Sequence, residues 1–414
     1  MAGAAAGAAE ERLTLTAPSL RILHFVAAGA LKAETANGVL RTVHGLATSL
    51  AARHRVEVWS QTRRWPARGQ RVEGVLNRFF PPPWPRGAMS GRLLRAALRG
   101  LHGFDLLHLH SCWHPEQAAL ALLARLRRVP FVLTPNGSLS PEALQIVRRR
   151  KQLYGRLVER RLLRAASAVH LVSEQEAGHL EGFGLPGLST CLVPNGIDLA
   201  RVPEASEPGF FDPLVGTARE ALRVVFVGRL DIRHKGLDLL IAGLAEARRR
   251  TGPLAAVVVI AGPCWPDRPD DVQALAQKAG VADLVHVHPA VFGADKYAAL
   301  ADADVVALTS RMEGLPFVGL EALAARRPLI CTEATGLAEV VRGAGAGIVC
   351  AADRVGVADA ILRAHHARGR LRAMGRSGRA AVERCFTWAS AAAKMERCYR
   401  EIVARGPRRA EGRA

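Results

Sequence analysis

The chain is predicted to fold as two α/β domains, each built on a parallel, doubly wound sheet. Its 414 residues exceed what one hydrophobic core usually organises. Short apolar runs rich in β-branched residues alternate with segments of helical periodicity, which is typical of parallel sheets covered by helices. Residues 199–221 contain three prolines, three glutamates and no periodicity, so they are predicted to link the two domains.

The predicted strands follow one another in order along both halves of the chain. In the first half they occupy residues 22–27, 55–60, 106–110, 131–134 and 168–172. In the second half they occupy residues 223–227, 256–261, 285–288, 305–308, 329–332 and 347–350. Apolar helical patterns separate them, such as the one at Leu237, Leu240, Ile241 and Leu244.

The composition excludes several classes of protein. No apolar run approaches the roughly 18 residues of a membrane span, and residues 1–19 lack the basic start and leucine-rich core of a signal peptide. We therefore expect a cytoplasmic protein with a disordered N-terminal tail. Seven scattered cysteines without a Cys-x-x-Cys pair favour reduced thiols over a disulfide framework. A net charge of +20 would attract nucleic acid, but aromatic residues are only 5% and form no stacking platform, so no nucleic-acid partner is expected.

The positive charge is concentrated in two segments of the first half. Residues 41–101 hold 12 arginines against two glutamates, and residues 146–164 hold eight lysines or arginines against one glutamate. The second segment also carries apolar residues at helical spacing, at positions 146, 147, 153, 157, 158, 162 and 163. A basic amphipathic helix suits the anionic inner face of the cell membrane, where we expect peripheral contact. A solvated helix face and general arginine-rich usage remain alternatives.

Glu313 and Glu321 form the most informative motif of the chain. A helix that begins near Pro316 would leave Glu313 in the preceding loop and Glu321 about one turn inside, so that both carboxylates face one site. Backbone N–H groups at that helix start suit a phosphate, and carboxylates accept hydrogen bonds from sugar hydroxyls. The motif therefore indicates a sugar-phosphate pocket. A solvated glutamate followed by a helix-capping one is the structural alternative.

A cationic turn precedes this motif by about 80 residues. The run Gly228-Arg229-Leu-Asp-Ile-Arg-His-Lys235-Gly236 lies between a buried-strand pattern and an apolar helical pattern. Arginine offers a planar fork to a diphosphate, lysine offers a point charge, and glycine lets the backbone approach closely. Surface charges on a strand-to-helix loop would be the alternative interpretation.

The two motifs together resemble the donor site of retaining nucleotide-sugar glycosyltransferases of the family-4 type, which have the GT-B fold. Further segments are similar to the family in the same order: the first strand with Asn37-Gly38, the run 134–144, the run Val193-Pro-Asn-Gly-Ile-Asp198, and Phe386-Thr-Trp388 at the start of the terminal helix. The run 134–144 is similar to members that build bacterial surface polysaccharides. The resemblance covers roughly residues 20–403.

The resemblance implies a division of the chain. Two Rossmann-like doubly wound parallel-sheet domains would face each other across a cleft, with residues 20–198 binding the acceptor and residues 222–385 the nucleotide sugar. Residues 386–405 would form a helix that packs back toward the first domain, followed by a tail at 406–414.

The resemblance also implies roles for single residues. Arg229 and Lys235 would bind the diphosphate, Glu321 the ribose, and Glu313 the reacting sugar; the donor-binding set is completed by Gly228, Gly314, Leu315, Pro316 and Phe317. Arg229, Lys235 and Glu313 are the expected catalytic residues. The expected residues of the acceptor and sugar cleft are Asn37, Gly38, His110, Asn136 and Gly137.

One position departs from the family pattern. Asn136 stands where many relatives have a histidine, and an amide can donate and accept hydrogen bonds but cannot carry a proton. A positional role would tolerate this exchange, whereas a titrating role would not.

No cofactor is expected, and catalysis is expected to be independent of metal. The run His108-Leu-His110-Ser-Cys112-Trp-His114 lacks a carboxylate or fourth ligand at useful spacing. Asp302-Ala-Asp304 precedes a strand, where capping and turn chemistry are expected of aspartates. The cationic pair Arg229 and Lys235 can neutralise a departing diphosphate instead.

The function that the resemblance implies is transfer of a hexose, with retention, from a UDP- or GDP-linked sugar to a sugar hydroxyl of a lipid-linked oligosaccharide, in exopolysaccharide, capsule or lipopolysaccharide assembly. A non-catalytic nucleotide-sugar-binding protein and a nucleotide-sugar epimerase on the same fold are the alternatives.

Overall fold

The structure is a computed structural model, and it describes residues 18–27, 37–62, 69–82, 89–145, 148–203, 209–216 and 220–406. The tail expected at 1–19 lies almost wholly outside the described residues, as do residues 146 and 147 and most of the tail at 406–414.

Two sheets organise the described residues, and each has helices on its faces. The first sheet has the order β3-β4-β2-β1-β5-β6-β7-β8, and all neighbours in it are parallel except β3 and β4. Its strands are β1 (Arg21–Val26), β2 (Arg55–Gln61), β3 (Gln70–Val72), β4 (Val75–Phe80), β5 (Leu106–His110), β6 (Phe131–Thr134), β7 (Ala168–Leu171) and β8 (Thr190–Leu192).

The second sheet is parallel throughout, with the order β11-β10-β9-β12-β13-β14 among the described residues. Its strands are β9 (Leu222–Val227), β10 (Ala256–Ala261), β11 (Val285–His288), β12 (Val305–Leu308), β13 (Leu329–Thr332) and β14 (Gly347–Cys350). The prediction of two parallel-sheet α/β domains is therefore confirmed.

The helices alternate with the strands in both domains. In the first domain they are α1 (Gly38–Ala51), α2 (Gly91–Gly100), α3 (Pro115–Leu126), α4 (Pro141–Gln145), α5 (Arg148–Tyr154), α6 (Arg160–Ala165) and α7 (Gln175–Gly182), with a 3₁₀ turn at Leu101–Gly103 and a π-helical segment at Gly155–Glu159. The remaining helices are α8 (Asp212–Val215), α9 (Leu237–Thr251), α10 (Pro269–Lys278), α11 (Gly293–Ala301), α12 (Phe317–Ala324), α13 (Ala338–Ala344), α14 (Arg354–His366), α15 (Arg368–Cys385) and α16 (Trp388–Arg405), and a 3₁₀ turn lies at Leu199–Arg201.

Three strands of the first sheet are not anticipated by the sequence. Both β3 and β8 are only three residues long and half exposed, and β4 follows β3 through a tight turn at Glu73 and Gly74, both with positive φ. Short edge strands carry too few apolar residues to be recognised by pattern. The linker also contains more structure than expected, because Asp212–Val215 forms a short helix.

The terminal helix α16 joins the first domain, although it follows the second domain in the chain. Its buried side chains, Ala391, Ala392, Met395, Tyr399 and Ile402, pack with residues of α1, β1 and β2 in one hydrophobic cluster. The chain passes from one domain to the other near Ile197 and returns near Phe386. These two segments lie side by side, and Ile197 N–H donates to the Phe386 carbonyl at 2.8 Å. Gly45 of α1 is required at this contact, because a Cβ there would lie 2.0 Å from the Trp388 ring.

Both sheets reverse their strand order at a central pair. The reversal lies between β1 and β5 in the first sheet and between β9 and β12 in the second. In doubly wound sheets, ligands bind at the carboxyl ends of such strands. The loops after β9 and β12 are therefore the expected location of a ligand in the second domain, and they carry the cationic turn and Glu313.

Candidate functional site

A cavity of about 430 Å³ opens between the two domains at these strand ends. The second domain contributes Arg229, His234 and Lys235 from the loop after β9, and Met312, Glu313, Gly314, Leu315, Pro316 and Phe317 from the loop after β12. The first domain contributes Asn37, Gly38, Val39, Thr42, Asn136, Gly137, Ser138, Ala143, Val172 and Asn195. The structure thus brings the cationic turn, Glu313 and most of the predicted acceptor residues to one cavity.

Lys235 and Glu313 form an ion pair at the centre of the second-domain wall. The Lys235 ammonium donates to Oε1 of Glu313, and the Ser310 hydroxyl donates to Oε2 at 2.8 Å. Burial alone would raise the pKa of Glu313, but Lys235 and Ser310 outweigh it and hold the pKa below its usual value. The carboxylate is therefore ionised at neutral pH, and the pair provides both an acceptor for hydroxyls and a cation for an anionic ligand.

The cationic turn is held in place by close backbone packing. Gly236 has a φ of +64°, and a Cβ there would lie 2.0 Å from the Thr309 carbonyl oxygen. Only glycine fits this position without displacing the end of β12. Because Gly236 precedes α9, the turn places Lys235 beside Glu313 on the neighbouring loop.

Arg229 lines the same cavity and is half-buried. Within the described residues, no carboxylate forms an ion pair with its guanidinium. An arginine without an acidic partner in a cavity wall is available to an anion such as a diphosphate.

The loop Glu313–Pro316 lines the cavity. It is fixed from behind by the turn at 334–336, where Gly336 N–H donates to the Glu313 carbonyl at 2.8 Å. A Cβ on Gly336 would lie 1.5 Å from the Gly314 carbonyl oxygen. The helix α12 begins directly afterwards at Phe317, with Pro316 as its N-cap, as the sequence predicts to within one residue. The start of the helix dipole therefore faces the region around Glu313.

Glu321 lies apart from Glu313. It is one turn inside α12 and almost fully buried, and it lines a neighbouring cavity of about 100 Å³ rather than the larger one. Phe317 lines both cavities and separates them. The expectation that both carboxylates face one site therefore differs from the structure, because Arg41 and Lys296 hold Glu321 on the far side of Phe317.

Two loops carry the predicted residues of the first-domain wall. Asn37 caps α1 by accepting from Val39 N–H at 3.0 Å, and Gly38 faces Phe317 across the cavity. Asn136 and Gly137 both have positive φ, which asparagine and glycine tolerate better than other residues. Four of the five predicted acceptor-side residues thus line the cavity.

The sequence matches two families over most of its length. The profile of Glycosyltransferase Family 4 matches residues 36–201, and that of Glycosyl transferases group 1 matches residues 221–366. A D-inositol 3-phosphate glycosyltransferase of Xylanimonas cellulosilytica is 31% identical over 351 residues, 78% of each chain. The chain belongs to glycosyltransferase family 4.

Two further proteins are similar to this glycosyltransferase, one in sequence and one in structure. An MMP α-(1→4)-mannosyltransferase of Mycolicibacterium hassiacum is 25% identical over 338 residues, 79% of this chain and 77% of the relative. The structure of HepE from Anabaena in complex with UDP and glucose superposes with a TM-score of 0.70 and 18% identity, over 92% of this chain and 99% of that one. The glycosyltransferase has the GT-B fold that the sequence predicts.

His110 is the predicted acceptor residue that lies elsewhere in the glycosyltransferase. It is fully buried beneath the cavity, and its Nε2 shares a hydrogen bond of 2.9 Å with Nδ1 of His24 on the adjacent strand. Burial lowers the pKa of His110 and that of His24, the latter to about 3, so both rings are neutral.

A chain of hydrogen bonds runs beside this pair through the first sheet. His170 donates from Nε2 to the Val193 carbonyl at 2.8 Å, so its Nδ1 accepts from the Thr134 hydroxyl at 2.8 Å. Thr134 in turn accepts from Nε2 of His108 at 2.6 Å, which leaves Nδ1 of His108 to accept from the Tyr399 hydroxyl. Because the Val193 carbonyl can only accept, it fixes the donor and acceptor of every later hydrogen bond in the series. The series connects α16 to the first sheet.

The ring nitrogens of His24, His108 and His110 lie within 4.8 Å of one another, as ligands of a metal ion would. Both nitrogens of His108 are already engaged by Tyr399 and Thr134. A metal would have to displace one of these bonds, and no carboxylate in the trio would compensate its charge.

Asp302 and Asp304 lie away from the cavity and are engaged in structural bonds. Asp302 is buried and accepts from Nη1 of Arg223 at 2.8 Å and from Gly209 and Phe211 N–H groups at 2.9 Å. Asp304 accepts from Arg223 N–H at 2.9 Å. These aspartates fasten the linker to β9 and β12.

Several cavity residues of the glycosyltransferase are not identified as site residues by sequence reasoning. In the cavity wall the Thr42 hydroxyl donates to Oδ1 of Asn195 at 2.9 Å, and His234 donates from Nε2 to the Met312 carbonyl at 3.0 Å. Asn195 lies within the run 193–198 that resembles the family, and His234 lies within the cationic turn. Both residues could therefore have been identified from motifs that the sequence analysis describes. Thr42 lies in the apolar pattern of α1 and has no signal of its own.

Proposed function

We propose that this glycosyltransferase transfers a hexose, with retention, from a nucleotide diphosphate sugar to a hydroxyl of an oligosaccharide or lipid-linked glycan. The observation that carries the proposal is the cavity in which Arg229, Lys235 and the ionised Glu313 meet the start of α12. Relatives named as mannosyltransferases and D-inositol 3-phosphate glycosyltransferases, and a structural neighbour bound to UDP and glucose, support it.

In this proposal the diphosphate binds to Arg229 and Lys235. Lys235 then exchanges its contact with Glu313 for a phosphate oxygen, and Glu313 becomes free to accept hydrogen bonds from the sugar. Glu321 accepts from the ribose hydroxyls. The N–H groups of Gly314 and Leu315 lie beside Glu313 and add partial positive charge near the sugar phosphate.

Cleavage of the bond between the sugar and the diphosphate places new negative charge on the leaving oxygen. Arg229 and Lys235 stabilise that charge and the sugar develops oxocarbenium character. The acceptor hydroxyl attacks from the face on which the diphosphate leaves, its proton passes to the leaving phosphate oxygen, and the configuration is retained. No metal takes part in these steps, so activity is expected to persist in EDTA.

The acceptor is proposed to reach the first domain from the cytoplasmic membrane surface. On α2, Leu94 and Leu98 are 40% and 42% exposed, and they lie among the exposed Arg92, Arg95 and Arg99. The neighbouring α3 exposes Leu122 and Leu126. Exposed leucines framed by arginines match an anionic, apolar surface better than they match water.

The segment 146–164 exposes fewer apolar side chains to a membrane surface than the sequence predicts. Leu162 and Leu163 are buried in the first-domain core, whereas Leu153 and Leu157 are exposed. Lys151 donates to the Ala143 carbonyl and lies over the Trp113 ring. None of the helices within the described residues has the length and apolar character to cross a membrane.

A donor screen tests the function most directly. Thermal unfolding of the protein is followed with UDP, GDP and ADP and with their hexose conjugates, and the conjugate that stabilises is then assayed for release of nucleotide diphosphate. At 100 times its dissociation constant a true donor stabilises by about 2.7 kcal/mol. Stabilisation without release of nucleotide diphosphate, with or without glycan acceptors, would instead favour a non-catalytic binding protein.

A further inference from the structure

We propose that Arg41 is a positioning residue which the first domain contributes to the nucleotide site of the second domain. Arg41 lies on α1, and its Nη2 donates to Oε1 of Glu321 on α12 at 2.6 Å, across the domain interface. By fixing one oxygen of Glu321, it leaves the other oriented to accept a ribose hydroxyl. This inference rests on the proposed function, which assigns the ribose to Glu321.

The first step of the argument is the distribution of charge on Glu321. Its side chain is only 2% exposed, and a buried carboxylate needs compensating donors. Two cations supply them, because Lys296 also donates to Oε1 at 2.6 Å. Both bonds fall on the same oxygen. Within the described residues Oε2 has no hydrogen-bond partner, and a carboxylate can accept on both oxygens at once.

The second step concerns the geometry of Arg41 itself. Its guanidinium lies over the Phe317 ring, with Cζ 4.1 Å from the ring centroid. Phe317 is the first residue of α12 and forms part of the wall of the larger cavity. Arg41 therefore touches both the start of the helix that faces the diphosphate and the carboxylate one turn later. A planar guanidinium can stack and donate at the same time, which an ammonium cannot do equally well.

The third step is that this contact joins the two domains. Lys296 lies in the second domain, so it holds Glu321 whatever the first domain does. Arg41 can hold Glu321 only while α1 lies against α12. Orientation of the ribose-binding carboxylate is thus linked to the closed arrangement of the domains, in which donor and acceptor meet.

The test compares ribose recognition with and without Arg41. Calorimetric affinities are measured for the nucleoside diphosphate that binds best and for its 2′-deoxy analogue, with the wild type, Arg41→Gln, Arg41→Lys and Glu321→Gln. A hydrogen bond from a hydroxyl to a carboxylate should make the wild type prefer the ribonucleotide by about tenfold or more. We expect this preference to fall to about threefold or less in Arg41→Gln and Glu321→Gln, and to be partly restored in Arg41→Lys.

Arg53→Gln is the matched control. Arg53 follows the end of α1 and bridges to Oε2 of Glu396 on α16 at 3.0 Å, so its removal also breaks an arginine–glutamate contact but leaves the cavity untouched. Its ribonucleotide preference should equal that of the wild type. Circular dichroism and thermal unfolding confirm that each variant is folded before its affinities are compared.

The outcomes separate the inference from the function beneath it. Equal losses of affinity for both nucleotides in Arg41→Gln, or an unchanged preference, would overturn the role of Arg41. An unchanged preference in Glu321→Gln would overturn the ribose assignment and the inference with it. If the wild type binds no nucleoside diphosphate at all, the proposed function itself fails.

Discussion

Glu313 and Glu321 differ in the cations that form ion pairs with their carboxylates. Glu313 pairs with Lys235 of its own domain, beside an arginine that forms no ion pair with a described carboxylate. Glu321 pairs with one cation from each domain and is nearly inaccessible. The first arrangement can open to admit a ligand by moving one lysine. The second fixes a carboxylate in place.

Replacing Arg229 or Lys235 by alanine should reduce turnover by two or more orders of magnitude. Charge-assisted contacts that strengthen as the diphosphate departs contribute about 2.7 to 4 kcal/mol to the transition state. The measurement is kcat with the donor found in the nucleotide screen. Arg233→Ala is the control, because Arg233 is an exposed neighbour on the same loop and does not line the cavity. Wild-type turnover in either active-site variant would falsify the diphosphate assignment.

Glutamine substitutions should separate the two glutamates. Glu313→Gln alters a contact to the reacting sugar and leaves Lys235 without its ion-pair partner, so we expect kcat to fall by about tenfold or more. Glu321→Gln should mainly raise the donor KM, because ribose contacts are made equally in the ground and transition states. Initial-rate kinetics over a range of donor concentrations gives both parameters. The reverse pattern would mean that the two roles are exchanged.

Among the elements, the π-helical segment Gly155–Glu159 ends at a buried glutamate of the first domain. Glu159 is fully buried and accepts from Trp113 N–H at 3.2 Å, and burial raises its pKa to about 7. Its Oε1 has no hydrogen-bond partner among the described residues. Single π-helical turns often mark functional positions, and this one lies under the loop that follows β5.

The raised pKa of Glu159 predicts a pH dependence of stability. In the unfolded chain the carboxyl has its ordinary pKa of 4.5, whereas burial in the folded protein raises the pKa to about 7 and keeps the group protonated below that pH. The free energy of unfolding should therefore fall as pH rises through that window, by about 3.5 kcal/mol in all at about 1.4 kcal/mol per pH unit. Urea unfolding of Glu159→Gln between pH 5 and 8 should show a flatter profile than the wild type. Parallel profiles would contradict the prediction.

The elements that the sequence predicts well are strands of four or more residues with buried apolar side chains. The eleven predicted strands carry apolar residues in runs or in alternation, and the loops after β9 and β12 carry Arg229, Lys235 and Glu313, so the main cavity could be anticipated. The edge strands β3 and β8 leave no such mark. The position of Glu321 could not be anticipated either, because Arg41 is 280 residues away in sequence and the contact depends on how two domains meet. His110 was expected to line the cavity but is buried in the first domain. The sequence does not show in which direction the last side chain of a strand points.

At the scale of the whole molecule, charge is distributed unequally between the two domains. The segments 41–101 and 146–164 hold 17 of the 20 net positive charges, and both belong to the first domain. The described exposed leucines of that domain lie on α2, α3 and the segment 148–159, apart from Leu192. The second domain carries the cavity residues Arg229 and Lys235 without sharing this excess.

The first domain should therefore bind anionic vesicles. Each arginine near such a surface contributes about 1 kcal/mol, and the buried apolar area of the leucines adds to it. Co-sedimentation should increase with anionic lipid and decrease with salt. Replacing Leu94 and Leu98 by serine should weaken binding without changing nucleotide affinity, whereas Leu214→Ser, an exposed leucine outside the first domain, should change neither. No binding at low salt would indicate a soluble acceptor.

The last helix has a consequence for the order in which the protein is made. Residues 388–405 leave the ribosome after the whole second domain, yet Met395 and Tyr399 are fully buried in the core of the first. One of the two hydrophobic clusters of the second-domain sheet has its described buried residues between 222 and 371, so it can form before α16 is synthesised. The first domain, although translated first, is completed last, and until then the apolar residues of α1, β1 and β2 that α16 covers stay exposed to solvent.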